Sequence, residues 1–160
     1  IPKRDWSSDV CSSDLTEWKE LWVECFATVG VTNAVRAGER LKPMPVSSDA
    51  SKVGTINIIV ITNAALAASA MVGAIQVVTE SKTGVLRDHA VACWTGHPGA
   101  TGTGTDAVVI ACANRGEGPW LSYSGTHTAI GVMIGRVVAD CVSRGLALAK
   151  QWAVRAKGRA

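Results

Sequence analysis

The sequence lacks several patterns that mark whole classes of protein. It has no uninterrupted run of about 18 or more apolar residues, so no segment has the length of a membrane-spanning helix. Its 16 Lys and Arg nearly balance its 13 Asp and Glu. Part of the excess lies in the C-terminal residues 149–160, and no basic stripe with interleaved aromatics is present. We therefore expect neither a membrane span nor a nucleic-acid partner.

Motifs for metal binding and for nucleophilic catalysis are also missing. Cys25, Cys93, Cys112 and Cys141 form no C-x-x-C pair and adjoin apolar residues. That context is typical of buried thiols in a reducing compartment. No Ser-His-Asp or metal-ligand spacing occurs. We expect a cytoplasmic protein without a resident cofactor or metal site, and leave open both a metal requirement and a homo-oligomer.

The string DWSSDVCSSDL occupies Asp5–Leu15. It looks like the peptide that one reading frame of a sequencing adapter encodes, and the alternative is a genuine Ser/Asp-rich arm. We interpret residues 1–15 as a non-native, disordered segment. Residues 16–148 then form one domain that lacks its N-terminal part, and 149–160 form a basic helix end or tail. A chain of about 145 residues is long enough for one core.

Two β-branched runs predict strands at Glu24–Val31 and Gly54–Ile61. The second run is apolar on both faces, so we expect a central strand that is covered on both sides. Both strands end in Thr-Asn-Ala. The repeat indicates neighbouring strands with matching ends, which would bring Asn33 and Asn63 close together.

Helical periods predict two long helices. The first covers Ala65–Asp88, with an apolar face formed by Met71, Val72, Ile75, Val78, Thr79, Val85 and Leu86. The second follows Thr126, the predicted N-cap, with an inner face formed by Ile130, Ile134, Val137, Val138, Cys141 and Val142. A loop at Gly96–Thr105 and a strand at Asp106–Ala113 lie between them. We expect an α+β domain, with mixed α/β as the alternative, in which a mixed or largely antiparallel sheet packs against both helices.

Three features can carry chemistry. Lys82 falls in the apolar stripe of the first helix, so it either extends past the helix end to solvent or meets an anionic partner. The Gly/Thr-rich run Thr101–Asp106 is either a ligand-binding loop rich in hydrogen-bond donors or a flexible turn. His127 precedes a helix, where it is either a general base or an ordinary side chain of the capping region.

These segments together resemble the adenosylcobinamide amidohydrolase family. The similar stretches run from Cys25 to Leu148 and include TVGVTNA, RAG, GTINIIV, ESKT, ATGTGTD and GTHT, in the family's order. Two departures stand out. We expect the strands and helix that precede TVGVTNA in the family to be missing here, and Ser81 stands where a small residue such as Ala is more usual.

The resemblance implies an amide (C–N) hydrolase of corrinoid salvage. Its substrate is adenosylcobinamide, and its products are adenosylcobyric acid and aminopropanol. The implied catalytic residues are Lys82, Asp106 and His127. Residues assigned to substrate binding are Asn33, Asn63, Thr101, Gly102, Thr103, Gly104, Thr105, Thr126 and Thr128. The alternatives are a non-catalytic corrinoid- or nucleotide-binding module and an inactive fragment.

Overall fold

A four-stranded mixed sheet, covered on one face by two long helices, forms the fold. We analysed it in a computed structural model that describes residues 10–40 and 54–157. For residues 10, 11 and 152–157 it describes the backbone only. The elements are, in chain order, β1 (Val10–Trp18), β2 (Leu21–Val29), β3 (Ala34–Val35), β4 (Ile56–Thr62), β5 (Ala65–Leu66), α1 (Ala68–Asp88), β6 (Gly102–Thr103), β7 (Ala107–Ala111), β8 (Trp120–Leu121) and α2 (Ala129–Lys157).

The sheet has the strand order β1-β2-β4-β7. β1 pairs with β2, and β2 with β4, in antiparallel fashion, whereas β4 and β7 are parallel. Two short pairs, β3 with β6 and β5 with β8, connect the loops at the two ends of the sheet. The α+β class, with a mixed sheet against two long helices, is therefore confirmed.

The core lies between the sheet and the helices. Burial alternates strictly along β2, so that Val23, Cys25, Ala27 and Val29 face the helices, as period-two geometry requires. All six residues predicted for the inner face of α2 are buried. Each fully buried Val or Ile contributes about 1.5–3 kcal/mol relative to exposure. Neither helix of the described ranges is long and apolar enough to cross a bilayer.

β4 is central, as predicted, but only one of its faces is covered. Ile56, Ile58 and Val60 are at most 1% exposed, whereas Ile59, on the other face, is 42% exposed. The expectation of two covered faces was wrong because a β-branched run shows only that a strand is favoured. It does not show how many layers pack on that strand.

The buried face of α1 is rotated relative to the prediction. Met71, Val72 and Ile75 are exposed, and the contact with the core is made by Ala70, Ala74, Val77, Val78, Lys82, Val85 and Leu86. The prediction weighted large side chains. Small residues instead let the helix approach its neighbours closely: a Cβ at Gly73 would lie 2.8 Å from the Ser124 hydroxyl oxygen.

The cysteine prediction is confirmed for three of four residues. Cys25, Cys93 and Cys141 are buried free thiols, and Cys112 is half-buried. The Cys141 thiol donates to the carbonyl of Cys25 over 3.4 Å. A separate interaction between the two thiol side chains raises the pKa of the Cys25 thiol, and burial adds to that rise.

The N-terminal segment is partly ordered, which corrects the expectation of disorder for residues 10–15. These residues form most of β1 and pair with β2. The Ser12 hydroxyl donates to the Cys141 carbonyl over 2.8 Å, and Asp14 pairs with Arg144 at 3.3 Å. The physical reason is that β2 would otherwise present an unpaired edge, which any extended segment can complete. Residues 1–9, most of the expected loop at 36–52 and the final residues 158–160 lie outside the described residues, and the adapter origin stays a prediction.

Candidate functional site

The buried ion pair between Lys82 and Asp106 is the most distinctive polar contact of the described residues. The Lys82 Nζ donates to Asp106 Oδ2 over 2.5 Å, and the two side chains are only 8% and 14% exposed. Lys82 therefore does not extend to solvent, and of its two sequence-based interpretations the one with an anionic partner is correct. Burying two charges costs several kcal/mol per ion unless the geometry and further hydrogen bonds compensate.

Those further bonds come from two other elements. The Thr103 hydroxyl donates to Asp106 Oδ1 over 2.5 Å, and the backbone N–H of Ile56 donates to the same oxygen over 3.2 Å. The parallel register of β4 and β7 explains why Asp106 contacts Ile56, because Ala107 pairs with Asn57 and so brings the starts of the two strands side by side. Asp106 is thus fixed by donors from α1, β6 and β4, which orient its carboxylate.

The Gly/Thr run is built into the fold and is not merely a flexible turn. The Ala37 N–H donates to Thr101 Oγ1 over 2.9 Å, and the Thr83 hydroxyl donates to the Thr101 carbonyl over 3.1 Å. The run also contains β6, a strand that the sequence did not predict. Thr105 accepts a hydrogen bond from the Thr55 hydroxyl over 2.9 Å. At Gly104 a Cβ would meet nothing within 4 Å.

Gly102 lies directly against the ion pair. A Cβ at this position would overlap the Asp106 Oδ2 atom and lie 2.9 Å from Lys82 Nζ. The absence of a side chain at Gly102 is therefore what allows the β6 backbone to approach the pair closely.

Asn33 lies beside this cluster, in the turn between β2 and β3. The next residue, Ala34, pairs with Thr103, which contacts Asp106. Asn33 is 6% exposed, and its Oδ1 atom has no hydrogen-bond partner among the described residues. An unsatisfied buried acceptor costs about 1–3 kcal/mol. An acceptor in that state is suited to the N–H group of a ligand.

Asn63 does not join this site, which corrects the prediction that the two Thr-Asn-Ala segments lie together. β2 and β4 are neighbours, but they are antiparallel, so their C-terminal ends lie at opposite ends of the sheet. The separation is about 20 Å for strands of this length. The Asn63 side chain instead accepts from the Trp22 N–H over 2.9 Å and donates to the Glu20 carbonyl over 2.7 Å. Its observed role is to fix the β1–β2 hairpin.

His127 and its neighbours also lie at the far end of the sheet. His127 is exposed and lines a cavity of about 440 Å³ with Trp18, Met133 and Arg136. Because Trp18 ends β1 beside the start of β2, this cavity is about 20 Å from Asp106 along the strands. The structure therefore does not bring His127 together with Lys82 and Asp106.

The N-cap of α2 is Thr128, not the predicted Thr126. The Thr128 hydroxyl oxygen accepts from the Gly131 N–H over 3.1 Å, and the helix begins at Ala129. The prediction placed the helix start two residues early because either threonine of the GTHT motif can cap a helix. Thr126 is exposed in the preceding loop.

A second cavity, close to Asp106, was not anticipated from the sequence. It measures about 630 Å³ and is lined by Arg36, Ala37, Gly38, Glu39, Arg40 and His97. The segment Arg36-Ala37-Gly38 resembles a family motif, but the sequence predicts no role for it. The sequence does not show that these arginines lie near His97, because the position of their turn depends on the β3–β6 pairing. Among the described residues, no group of three or more His, Cys, Asp or Glu is arranged to hold a metal ion.

Comparison with known proteins agrees with the resemblance stated above. The sequence model of a family described as adenosylcobinamide amidohydrolase matches residues 9–153. An uncharacterised protein of Methanocaldococcus jannaschii is 36% identical over 145 residues, which cover 81% of this chain and 55% of the relative. A protein of Methanosarcina mazei named adenosylcobinamide amidohydrolase is 31% identical over 134 residues, which cover 79% of this chain and 58% of the relative. The chain thus spans little more than half the length of these relatives, and no solved structure matches it.

Proposed function

Because the chain belongs to the adenosylcobinamide amidohydrolase family, we propose that it hydrolyses the amide between the aminopropanol arm and the corrin side chain of adenosylcobinamide. The reaction centre in this proposal is the cluster of Asn33, Lys82, Thr103 and Asp106. The products are adenosylcobyric acid and aminopropanol.

One observation carries the choice of this cluster. Asn33 Oδ1, a buried acceptor without a partner among the described residues, belongs to the residue before Ala34, and Ala34 pairs with Thr103 beside the nearly buried carboxylate and ammonium group. An amide presents one N–H donor and one carbonyl acceptor. Asn33 Oδ1 is suited to the N–H, and the Lys82 ammonium is suited to the carbonyl oxygen, where negative charge develops during attack.

The reaction needs a water molecule, a base and a protonated leaving group. Asp106 accepts a proton from the water as its oxygen attacks the amide carbon, and Lys82 stabilises the resulting oxyanion. The C–N bond then breaks, and the proton held at Asp106 passes to the leaving nitrogen. The hydroxyl from water remains on the carbonyl carbon, so the corrinoid product is a carboxylic acid and the arm leaves as a free amine.

The hydrogen bonds around Asp106 support this assignment. Thr103 and the Ile56 N–H both contact Oδ1, whereas Lys82 contacts Oδ2. The carboxylate is therefore held in one orientation before substrate binds. Preorganised groups of this kind avoid reorganisation during the reaction, which is the largest contribution in many enzymes.

The test measures free aminopropanol after incubation with adenosylcobinamide. We expect Asp106→Asn and Lys82→Met each to lower the rate about 100-fold or more, since removal of one oxyanion donor typically costs 10²–10³-fold. The matched controls are Asp140→Asn and Lys150→Met, which change exposed residues of α2. His127→Ala separates the two ends of the sheet, and we expect it to retain most of the activity.

Three results would overturn the proposal. Wild-type rates in Asp106→Asn or Lys82→Met, with the fold intact by circular dichroism, would remove the residue from the reaction centre. Binding of the corrinoid without any release of aminopropanol would instead identify a non-catalytic binding module. A loss of activity in His127→Ala alone would indicate that the reaction centre is the cavity beside Trp18.

A further inference from the structure

The cavity at the β3 turn brings together two arginines, a histidine and one carboxylate, Glu39. Arg36, Arg40 and His97 line it, and the volume is about 630 Å³. Among residues 10–40 and 54–157, neither arginine forms an ion pair with a carboxylate. The Arg36 Nη1 atom lies 3.6 Å from where a Cβ on Gly99 would stand.

Glu39 is the one carboxylate in the described lining of the cavity, and its side chain is hydrogen-bonded to a residue outside that lining. Glu39 Oε1 accepts from the Thr95 hydroxyl over 2.6 Å. That bond lowers the pKa of the Glu39 carboxyl most, and a bond from the Cys93 thiol, a bond from the Arg36 backbone N–H and the charge of His97 add smaller reductions. Burial and the same contact with Glu39 raise the pKa of Cys93. Glu39 is therefore held towards Thr95 and Cys93 in place of an ion pair with its neighbours Arg36 and Arg40.

We propose that this cavity, at Arg36, Arg40 and His97, binds the oxyanion group of a ligand, either a phosphate monoester or a carboxylate. The planar guanidinium fork matches both groups, because it can donate two parallel N–H bonds to their oxygens. A histidine supplies a further donor at the rim. The cavity is open enough to admit a group that is carried on a larger molecule.

The position of the cavity connects it to the reaction centre. Val35 pairs with Gly102, and a Cβ on Gly102 would contact both Asp106 and Lys82. Arg36 is the next residue, so its Cα lies about 10 Å from the Asp106 carboxylate by strand geometry. If the proposed function holds, the oxyanion belongs to a phosphorylated or carboxylated form of the amide substrate, since adenosylcobinamide itself carries neither group, and it lies at about this distance from the scissile bond. This extension rests on the proposed function, whereas binding of the oxyanion does not.

The test follows backbone amide resonances by NMR while inorganic phosphate is added at constant ionic strength. We expect saturable shifts at Ala37, Gly38 and His97. In Arg36→Gln and Arg40→Gln the affinity should fall about tenfold or more, as for loss of a charge-assisted hydrogen bond. Arg87→Gln, at the exposed end of α1, is the matched control and should bind as the wild type does. Asp106→Asn should also keep phosphate binding, so that failure of catalysis and failure of this proposal are distinguished.

A parallel titration with acetate separates the two ligand sources. Saturation by phosphate alone assigns the site to a phosphate monoester, saturation by acetate alone assigns it to a carboxylate, and saturation by both supports the shared chemistry. Shifts that do not saturate, that chloride reproduces, or that persist unchanged in the Arg36→Gln/Arg40→Gln double variant would overturn the proposal.

Discussion

Gly102→Ala provides a direct test of the geometry at the candidate site. The added methyl group would overlap Asp106 Oδ2 and lie 2.9 Å from Lys82 Nζ, so the ion pair must shift or separate. Gly104→Ala is a matched control in the same loop, because a Cβ there meets nothing within 4 Å. Neither glycine has a positive φ, so backbone strain does not distinguish the two variants.

The magnitude follows from the contacts. Overpacking by one methyl group costs about 1–3 kcal/mol, and complete separation of a buried ion pair costs about 3–5 kcal/mol. Since Asp106 is 14% exposed and can move partly outwards, we expect about 2 kcal/mol of lost stability for Gly102→Ala. At this chain length that loss lowers the melting temperature by about 4–8 °C. Gly104→Ala should be neutral or stabilise by up to about 1 kcal/mol, because alanine restricts the unfolded chain.

Urea unfolding followed by circular dichroism measures both variants. A larger loss in Gly102→Ala than in Gly104→Ala is the expected result, accompanied by a drop in aminopropanol release of about 100-fold if the pair moves by about 1 Å. Equal stability of the two variants would show that β6 does not approach the Lys82–Asp106 pair as described, and the reasoning on the site would fail with it.

Two further predictions concern the cap of α2 and the acidic group of the second cavity. Thr128→Ala should cost about 1 kcal/mol in urea unfolding, whereas Thr126→Ala should cost little, and the reverse order would contradict the assigned cap. The Glu39 carboxyl should titrate below its ordinary range by NMR, and Thr95→Val should move its pKa back towards that range. Because the folded-state pKa is lowered, the stabilisation is present above the unfolded-state value and is lost as pH falls through the folded-state value. An unchanged Glu39 pKa in Thr95→Val would exclude the hydroxyl as the cause.

The sequence predicted those parts of the fold that depend on local pattern. The inner face of α2 follows from a regular helical period of large apolar residues, and it is buried as expected. The unbroken β-branched run of β4 likewise predicts a strand, and that strand lies inside the sheet between β2 and β7. These patterns reflect burial directly, because one helix face or one strand must be apolar to pack.

The errors concern features that tertiary packing decides. Strand direction cannot be derived from the repeated Thr-Asn-Ala segment, so the sequence could not show that Asn33 and Asn63 lie at opposite ends of the sheet. Similarly, the small residues Ala70 and Ala74 mark the true face of α1, yet small residues give a weak signal of periodicity.

The candidate site was predictable in its residue types but not in its grouping. A lysine in an apolar stripe requires a partner if it is buried, and Asp106 proved to be that partner. The partner could not be chosen in advance, because only the parallel β4–β7 register brings Asp106 to Lys82 and Ile56. The sequence marks His127 as a candidate catalytic residue, as it does Lys82, but the fold places His127 at the opposite end of the sheet.

Incubation with adenosylcobinamide in water enriched in ¹⁸O tests the central claim most directly. Hydrolysis at the Lys82–Asp106 cluster predicts that aminopropanol is released and that one heavy oxygen enters the new carboxylate of the corrinoid. Asp106→Asn should abolish both signals, while Asp140→Asn should retain them. If the corrinoid binds but stays intact and unlabelled, or if Asp106→Asn incorporates the label at the wild-type rate, the account is contradicted.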